Sequence, residues 1–113
     1  MSLSDTQWEF LQDIAKLIDF AETNDLKLTA GEMFRTDYQH RENLRQGLSK
    51  VLRSRHQDRL AFDLNLFVNG EPQWSYCDEW ELLGEYWESL HEDNVWGGRW
   101  QEIKDFYHFE RRR

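Results

Sequence analysis

The sequence predicts an α+β domain in which about three helices pack on a small antiparallel sheet. Three observations predict it. Trp8 to Ala21 and Trp80 to Leu90 place apolar residues at helical spacing. Leu60 to Val68 alternates apolar and polar residues and runs into Asn69-Gly70, a strong hairpin turn signal. No repeat, low-complexity tract or linker interrupts the 113 residues, so residues 1–113 are expected to form one domain.

Taken in order, Ser4 and Gln7 fit a capping box that opens the first helix. Its stripe is Trp8, Leu11, Ile14 or Ala15, Ile18 and Ala21, widened by Phe10, Leu17 and Phe20. It ends near Thr23-Asn24. Leu26 to Phe34 alternates weakly and reads as a short strand, followed by Arg35-Thr36 and a helix that Asp37 caps and that runs to about Leu48. Gly47 to Arg55 is a small, basic loop. It leads to the strand Leu60–Val68, whose residues Leu60, Phe62, Leu64, Leu66 and Val68 share one face while Ala61, Asp63, Asn65 and Phe67 take the other. After the turn, Pro72 stops the return strand early or keeps it at an edge, with its pairing segment near Gln73–Tyr76. Asp78 caps a third helix, Glu79–Leu90, with Trp80, Leu83, Trp87 and Leu90 as its stripe. Asn94 to Trp100 carries Gly97-Gly98, glycines of a tight turn or of a backbone lying near a ligand. A last strand covers about Asp105–Glu110.

The composition excludes several classes. A hydrophobic fraction of 39% with six Trp, seven Phe and four Tyr is that of a packed domain, not a disordered chain. No apolar run approaches the roughly 20 residues of a membrane span. The start, Met1-Ser-Leu-Ser-Asp, lacks the pattern of a signal peptide, so synthesis in a cytoplasm is expected. The net charge of −8 argues against nucleic acid, whose phosphates need clustered cations. The local exceptions are Lys50–Arg59, which could draw an anionic substrate, and Arg111–Arg113, which reads as a solvated end. The lone Cys77 can form neither an internal disulfide nor a thiolate zinc site.

The chemistry concentrates in Ser54–Asp63, where His56 precedes Asp63 by seven residues. A carboxylate between Phe62 and Leu64 on a core strand is costly unless something pairs with it, and a metal ion is one such partner. Asp105-Phe-Tyr-His108-Phe-Glu110 supplies a second group of candidate ligands. His40 and His91 lie in polar helical surroundings and read as surface histidines.

Together these stretches resemble the M15 family of zinc peptidases, the group of D-Ala-D-Ala carboxypeptidases and L-alanyl-D-glutamate endopeptidases. That family shows Ser-x-His-x6-Asp and then a carboxylate-x-x-His near the C-terminus, matched here by Ser54, His56, Asp63, Asp105 and His108. The resemblance extends from Leu28 to Glu110, includes Trp96-Gly97-Gly98, and implies the M15 peptidase fold. It implies zinc as cofactor, held by His56, Asp63 and His108, the count of three protein ligands that a catalytic zinc keeps. It makes Asp105 the general base, with Glu102 as fallback, and gives Arg35 a place facing the substrate and the developing oxyanion. By residue type alone Arg35 reads as an exposed, salt-bridging residue, and only the resemblance reverses that. Ser54 would orient the loop or bind substrate, and Glu110 would either fix an imidazole from behind or end the strand in solvent. Because Asp105 and His108 are three apart, both can face inward only if the chain turns at Phe106-Tyr107. Arg59 stands where the family often has Gly, so the turn after His56 is expected to avoid a positive φ there.

The function these features imply is zinc-dependent hydrolysis of peptidoglycan stem peptides, most of all the L-Ala-D-Glu bond. It would be carried out by a monomeric, phage endolysin-like enzyme that reaches the wall after release by another factor. The alternatives are a D-Ala-D-Ala carboxypeptidase and an inactive binding or structural relative. An acidic inhibitor or adaptor would explain the charge but not Asp63.

Overall fold

Strand pairing around the Leu60 segment organises the molecule. The computed structural model describes residues 1–48 and 54–112. Its elements are α1 (Leu3–Thr23), β1 (Lys27–Ala30), α2 (Asp37–Arg45), β2 (Ala61–Val68), β3 (Glu71–Pro72), α3 (Asp78–Leu90), β4 (Asn94–Trp96) and β5 (His108–Arg111), with a 3-10 turn at Gly97–Arg99. The sheet is antiparallel in the order β1-β2-β5-β4, with β3 returning on β2. The alternation expected of β2 decides its two faces. Leu60, Phe62, Leu64 and Leu66 join Phe10, Ile14, Leu17 and Ala21 of α1, Trp80, Leu83 and Trp87 of α3, Trp96 and Phe109 in one core. Asp63 lies on the opposite face, opposite His108 of β5. Asn69 and Gly70 take φ of 52° and 81° and close the β2–β3 hairpin as a turn that needs positive φ at both positions.

Several expected boundaries and faces move. Ser2, not Ser4, caps α1: its hydroxyl accepts from the Asp5 N–H while the Asp5 carboxylate accepts from the Ser2 N–H. The stripe Trp8, Leu11 and Ile18 is exposed, because the stripe Phe10, Ile14, Leu17 and Ala21 packs instead. Two apolar stripes overlap on this helix, and only the neighbours choose between them. Thr36 caps α2 in place of Asp37, and α2 stops at Arg45. Cys77 occupies the cap position of α3 and makes no side-chain bond there, so Asp78 is the first helical residue, where its charge complements the dipole. β1 spans only Lys27–Ala30, and the return strand is Glu71–Pro72. The segment expected to be only a turn contributes a strand of its own, β4, before the glycines. β5 starts at His108, after a turn at Phe106-Tyr107.

Arg111 is a further correction: it is no solvated end but 2% exposed. On β5 it faces the core side, where its guanidinium donates to Asp13 and Glu9 of α1 and to Asn94, its partner on β4. Asn94 in turn donates to Asp13 at 3.0 Å. Of the basic run, Lys50 and Arg53 lie outside the described residues, as does Arg113 of the tail. Removing one partner of such a buried pair leaves the other charge uncompensated, which costs about 3–5 kcal/mol. Arg111→Ala is therefore expected to lose about that much stability in urea denaturation. A loss below about 1 kcal/mol would mean that Asp13 reaches water without it.

Candidate metal centre

Backbone hydrogen bonds set the site before any side chain does. Asp63 donates its N–H to Glu32 O and accepts at its carbonyl from the Gly31 N–H, so both its backbone groups point toward the β1 side. Toward β5 it therefore faces His108 as a non-hydrogen-bonded pair, the closer of the two antiparallel spacings. His56 arrives from a loop braced locally: the Ser54 hydroxyl accepts from the His56 N–H, and the Ser54 N–H donates to the Gln57 side chain. The loop ends at Arg59 with φ 56°, contrary to the expectation of a negative φ. That left-handed turn costs a residue with Cβ about 1–2 kcal/mol. Stacking of the Arg59 guanidinium 4.1 Å over the Phe34 ring offsets part of it.

These elements bring His56, Asp63 and His108 together, one ligand atom from each lying within 4.8 Å of the others. His56 Nε2 stands 3.3 Å and His108 Nδ1 3.4 Å from Asp63 Oδ1. Neither approach has the geometry of a hydrogen bond, and among the described residues Oδ1 is a buried oxygen without a hydrogen-bond partner. The far nitrogens are engaged: His108 Nε2 lies 2.7 Å from Glu110 Oε1, and His56 Nδ1 lies 3.4 Å from both Met33 O and Glu32 Oε1. These acceptors hold the ring protons on the far side and leave His56 Nε2 and His108 Nδ1 facing Oδ1. Two imidazole nitrogens and a carboxylate oxygen converging on one point fit a divalent zinc-type cation.

The electrostatics agree. Burial alone would raise the Asp63 pKa, but the neighbouring His108 and His56 overcome it and hold the carboxyl down at about 2. Burial would likewise depress His108, but Asp63 and Glu110 outweigh it and lift the imidazole to about 9. Glu110 is held below its usual value against the effect of burial, first by His108 and then by Arg112. Asp105 is pushed up, first by burial and further by the charge of Asp63, against the pull of His108. In metal-free protein the raised His108 stabilises the fold fully below its usual 6.5, and that contribution is lost as pH rises through about 9. The depressed Asp63 contributes above its usual 3.8 and loses its effect as pH falls toward about 2. Chelator-treated protein is thus expected to show its best stability between about pH 3.8 and 6.5 as far as these two groups decide it. A denaturation midpoint that climbs between pH 6.5 and 9 would contradict the pairing of His108.

A cleft of about 980 Å³ opens beside these three candidate ligands and is lined by Arg35, Ser54, Asp105 and Glu102 among others. Asp105 is carried by the loop before β5, its N–H donated to Gly97 O and its carbonyl accepting from the His108 N–H across the turn. Gly97 is required there: a Cβ on it would come within 2.5 Å of Asp105 O and 3.1 Å of the His108 Cβ. Its role is thus close backbone approach to the segment that bears Asp105 and His108. Arg35 is 13% exposed in its side chain and held by Glu32 and His40.

Residues unmarked by the sequence reading also belong here. Glu32 touches both His56 and Arg35, and its proximity to Arg35 in sequence was its only signal. The Trp100 ring packs on His108 with centroids 5.0 Å apart. His40, expected at the surface, is 1% exposed.

Comparison with known proteins follows the same lines. A crystal structure of the L-Ala D-Glu endopeptidase ChiX from Serratia marcescens superposes with a TM-score of 0.76 over 91% of this chain and 77% of that one, at 24% identity, which shows a shared fold. No curated protein matches the sequence. A family model of the M15 peptidases, described as D-alanyl-D-alanine carboxypeptidase, matches residues 48–111, more than half of the chain and the part that bears His56, Asp63, Asp105 and His108. With that match, and with three helices on a small antiparallel sheet as its architecture, the chain belongs to the M15 family of peptidases.

Proposed function

We propose that this peptidase is zinc-dependent, that His56, Asp63 and His108 hold the metal, and that it hydrolyses peptidoglycan stem peptides at the L-Ala-D-Glu bond. The observation that carries the reading is the buried, unsatisfied Asp63 Oδ1 with an imidazole nitrogen on each side, at the edge of an open cleft. A zinc ion at such a site supplies Lewis acidity and acidifies a water from 15.7 to about 7. The rest falls to the chain itself. Asp105 accepts the proton of the attacking water and returns it to the leaving amine, and its raised pKa suits a group that must do both near neutral pH. Arg35 presents its free N–H donors to the oxygen on which charge develops. Ser54 holds the loop that carries His56, and Glu110 fixes the ring of His108.

The choice of bond is supported by the endopeptidase whose fold this chain shares, whereas the family description favours removal of a terminal D-Ala. Digestion of purified murein followed by mass spectrometry separates the two. New N-terminal D-Glu and glycan that keeps only L-Ala are expected; release of D-Ala alone would make the protein a carboxypeptidase. Intact murein in the presence of zinc would favour an inactive binding relative. We extend the proposal to an endolysin-like role at the cell wall, for which clearing of a murein suspension is the direct test. No described helix is long and apolar enough to cross a membrane.

A further inference from the structure

We propose that His40 and Glu32 are positioning residues that together aim the Arg35 guanidinium into the cleft. This rests on the reading of Arg35 as the oxyanion donor. Glu32 Oε1 accepts from Arg35 Nε and lies 2.8 Å from Nη2 as well, so it grips one edge of the planar group. His40 Nδ1 lies 2.9 Å from Nη1. A guanidinium has five N–H donors and no acceptor, so this contact requires a lone pair on His40 Nδ1 and fixes the ring as the neutral Nε2–H tautomer. Among the described residues three donors are thereby engaged, which leaves two for a ligand in the cleft that Arg35 lines.

The clamp is held by backbone hydrogen bonds and burial. His40 sits in the first turn of α2, directly after the Thr36 cap, and its ring is 1% exposed. Glu32 follows Gly31 where the chain leaves β1, and its carbonyl holds the Asp63 N–H. The Arg35 N–H donates to His56 O at 3.1 Å, which ties the arginine to the ligand loop. The same Glu32 oxygen stands 3.4 Å from His56 Nδ1. One carboxylate thus touches both the His56 imidazole and the guanidinium, so the two groups share a neighbour at the edge of the cleft. Arg35 has many rotamers of its own, and a displacement of about 1 Å at such a group can cost on the order of 100-fold.

The test uses His40, which leaves the ligand shell untouched. His40→Leu is expected to lower kcat on an L-Ala-D-Glu peptide about 10- to 100-fold with little change in KM and one zinc retained, because the donors act on developing charge. His40→Asn, which keeps an acceptor near Nδ1, is expected to recover most of the rate. In an Arg35→Ala background His40→Leu should add nothing. A full additional loss there, or loss of zinc, would overturn the clamp. The 15N shift of His40 gives a reading that needs neither turnover nor a folded His40 variant. An unprotonated, hydrogen-bonded Nδ1 that changes in Arg35→Ala supports the proposal, and a protonated Nδ1 overturns it. If wild-type protein with zinc bound cleaves no murein peptide, the peptidase reading fails, and with it the clamp as a catalytic device, whatever the shift shows.

Discussion

Asp105→Asn is expected to keep its zinc and lose turnover by on the order of 10²–10⁴. The substitution changes almost no volume and leaves untouched the two backbone bonds that hold this residue, its N–H to Gly97 O and its carbonyl to the His108 N–H. The turn that delivers His108 therefore survives, and with it the ligand set. What is lost is a basic oxygen in the cleft. An amide cannot take a proton from water near neutral pH, nor return one to an amine. The raised pKa of the native carboxyl makes the loss larger, since a base closer to the working pH transfers protons more effectively. Zinc content by elemental analysis and kcat on a stem peptide measure the two halves separately. Loss of metal would show Asp105 to be a ligand, and undiminished turnover would move the base to Glu102.

His56→Ala should abolish tight zinc binding and activity together. His56 is 2% exposed, and its Nε2 is one of the two nitrogens facing Asp63 Oδ1. Without it one imidazole and one carboxylate remain, too few for the three protein ligands of a catalytic zinc. Binding to the folded state stabilises by RT ln(1 + [L]/Kd), about 4.1 kcal/mol at a thousand times Kd. Wild-type protein should therefore gain several kcal/mol on zinc addition, and the variant almost nothing. Comparing each protein with and without chelator removes the packing cost of the truncated ring. A variant that still shows the full zinc-induced shift, or a wild type that hydrolyses murein fully after chelation, would remove the basis of the metal centre.

The candidate ligands were legible because their signals are local. Asp63 is the one charged residue of the alternating strand, and the period of two puts it on the face away from the core whatever else the chain does. The need for a turn at Phe106-Tyr107 followed from the spacing of Asp105 and His108, and the chain turns there. The helix faces and caps were less legible. α1 carries two apolar stripes of similar strength, and burial of Phe10, Ile14 and Leu17 rather than Trp8, Leu11 and Ile18 depends on where α3 and β5 lie. The left-handed Arg59 ran against residue preference, since bonds across the loop and the Phe34 ring hold it there. Arg111 looked like part of a frayed basic tail, and only the partners on α1 and β4 make it a core residue.

By itself the amino-acid order determined the α+β class, the central strand with its hairpin, and the types of group available for a metal, because alternation and turn chemistry act over a few residues. The tertiary structure alone decided which ring nitrogens face Asp63, that Glu32 and His40 surround Arg35, and that Gly97 must stay bare beneath Asp105. Those relations join segments distant in sequence. They arise from strand register and helix docking, where burying apolar area and satisfying backbone groups outweigh any local preference.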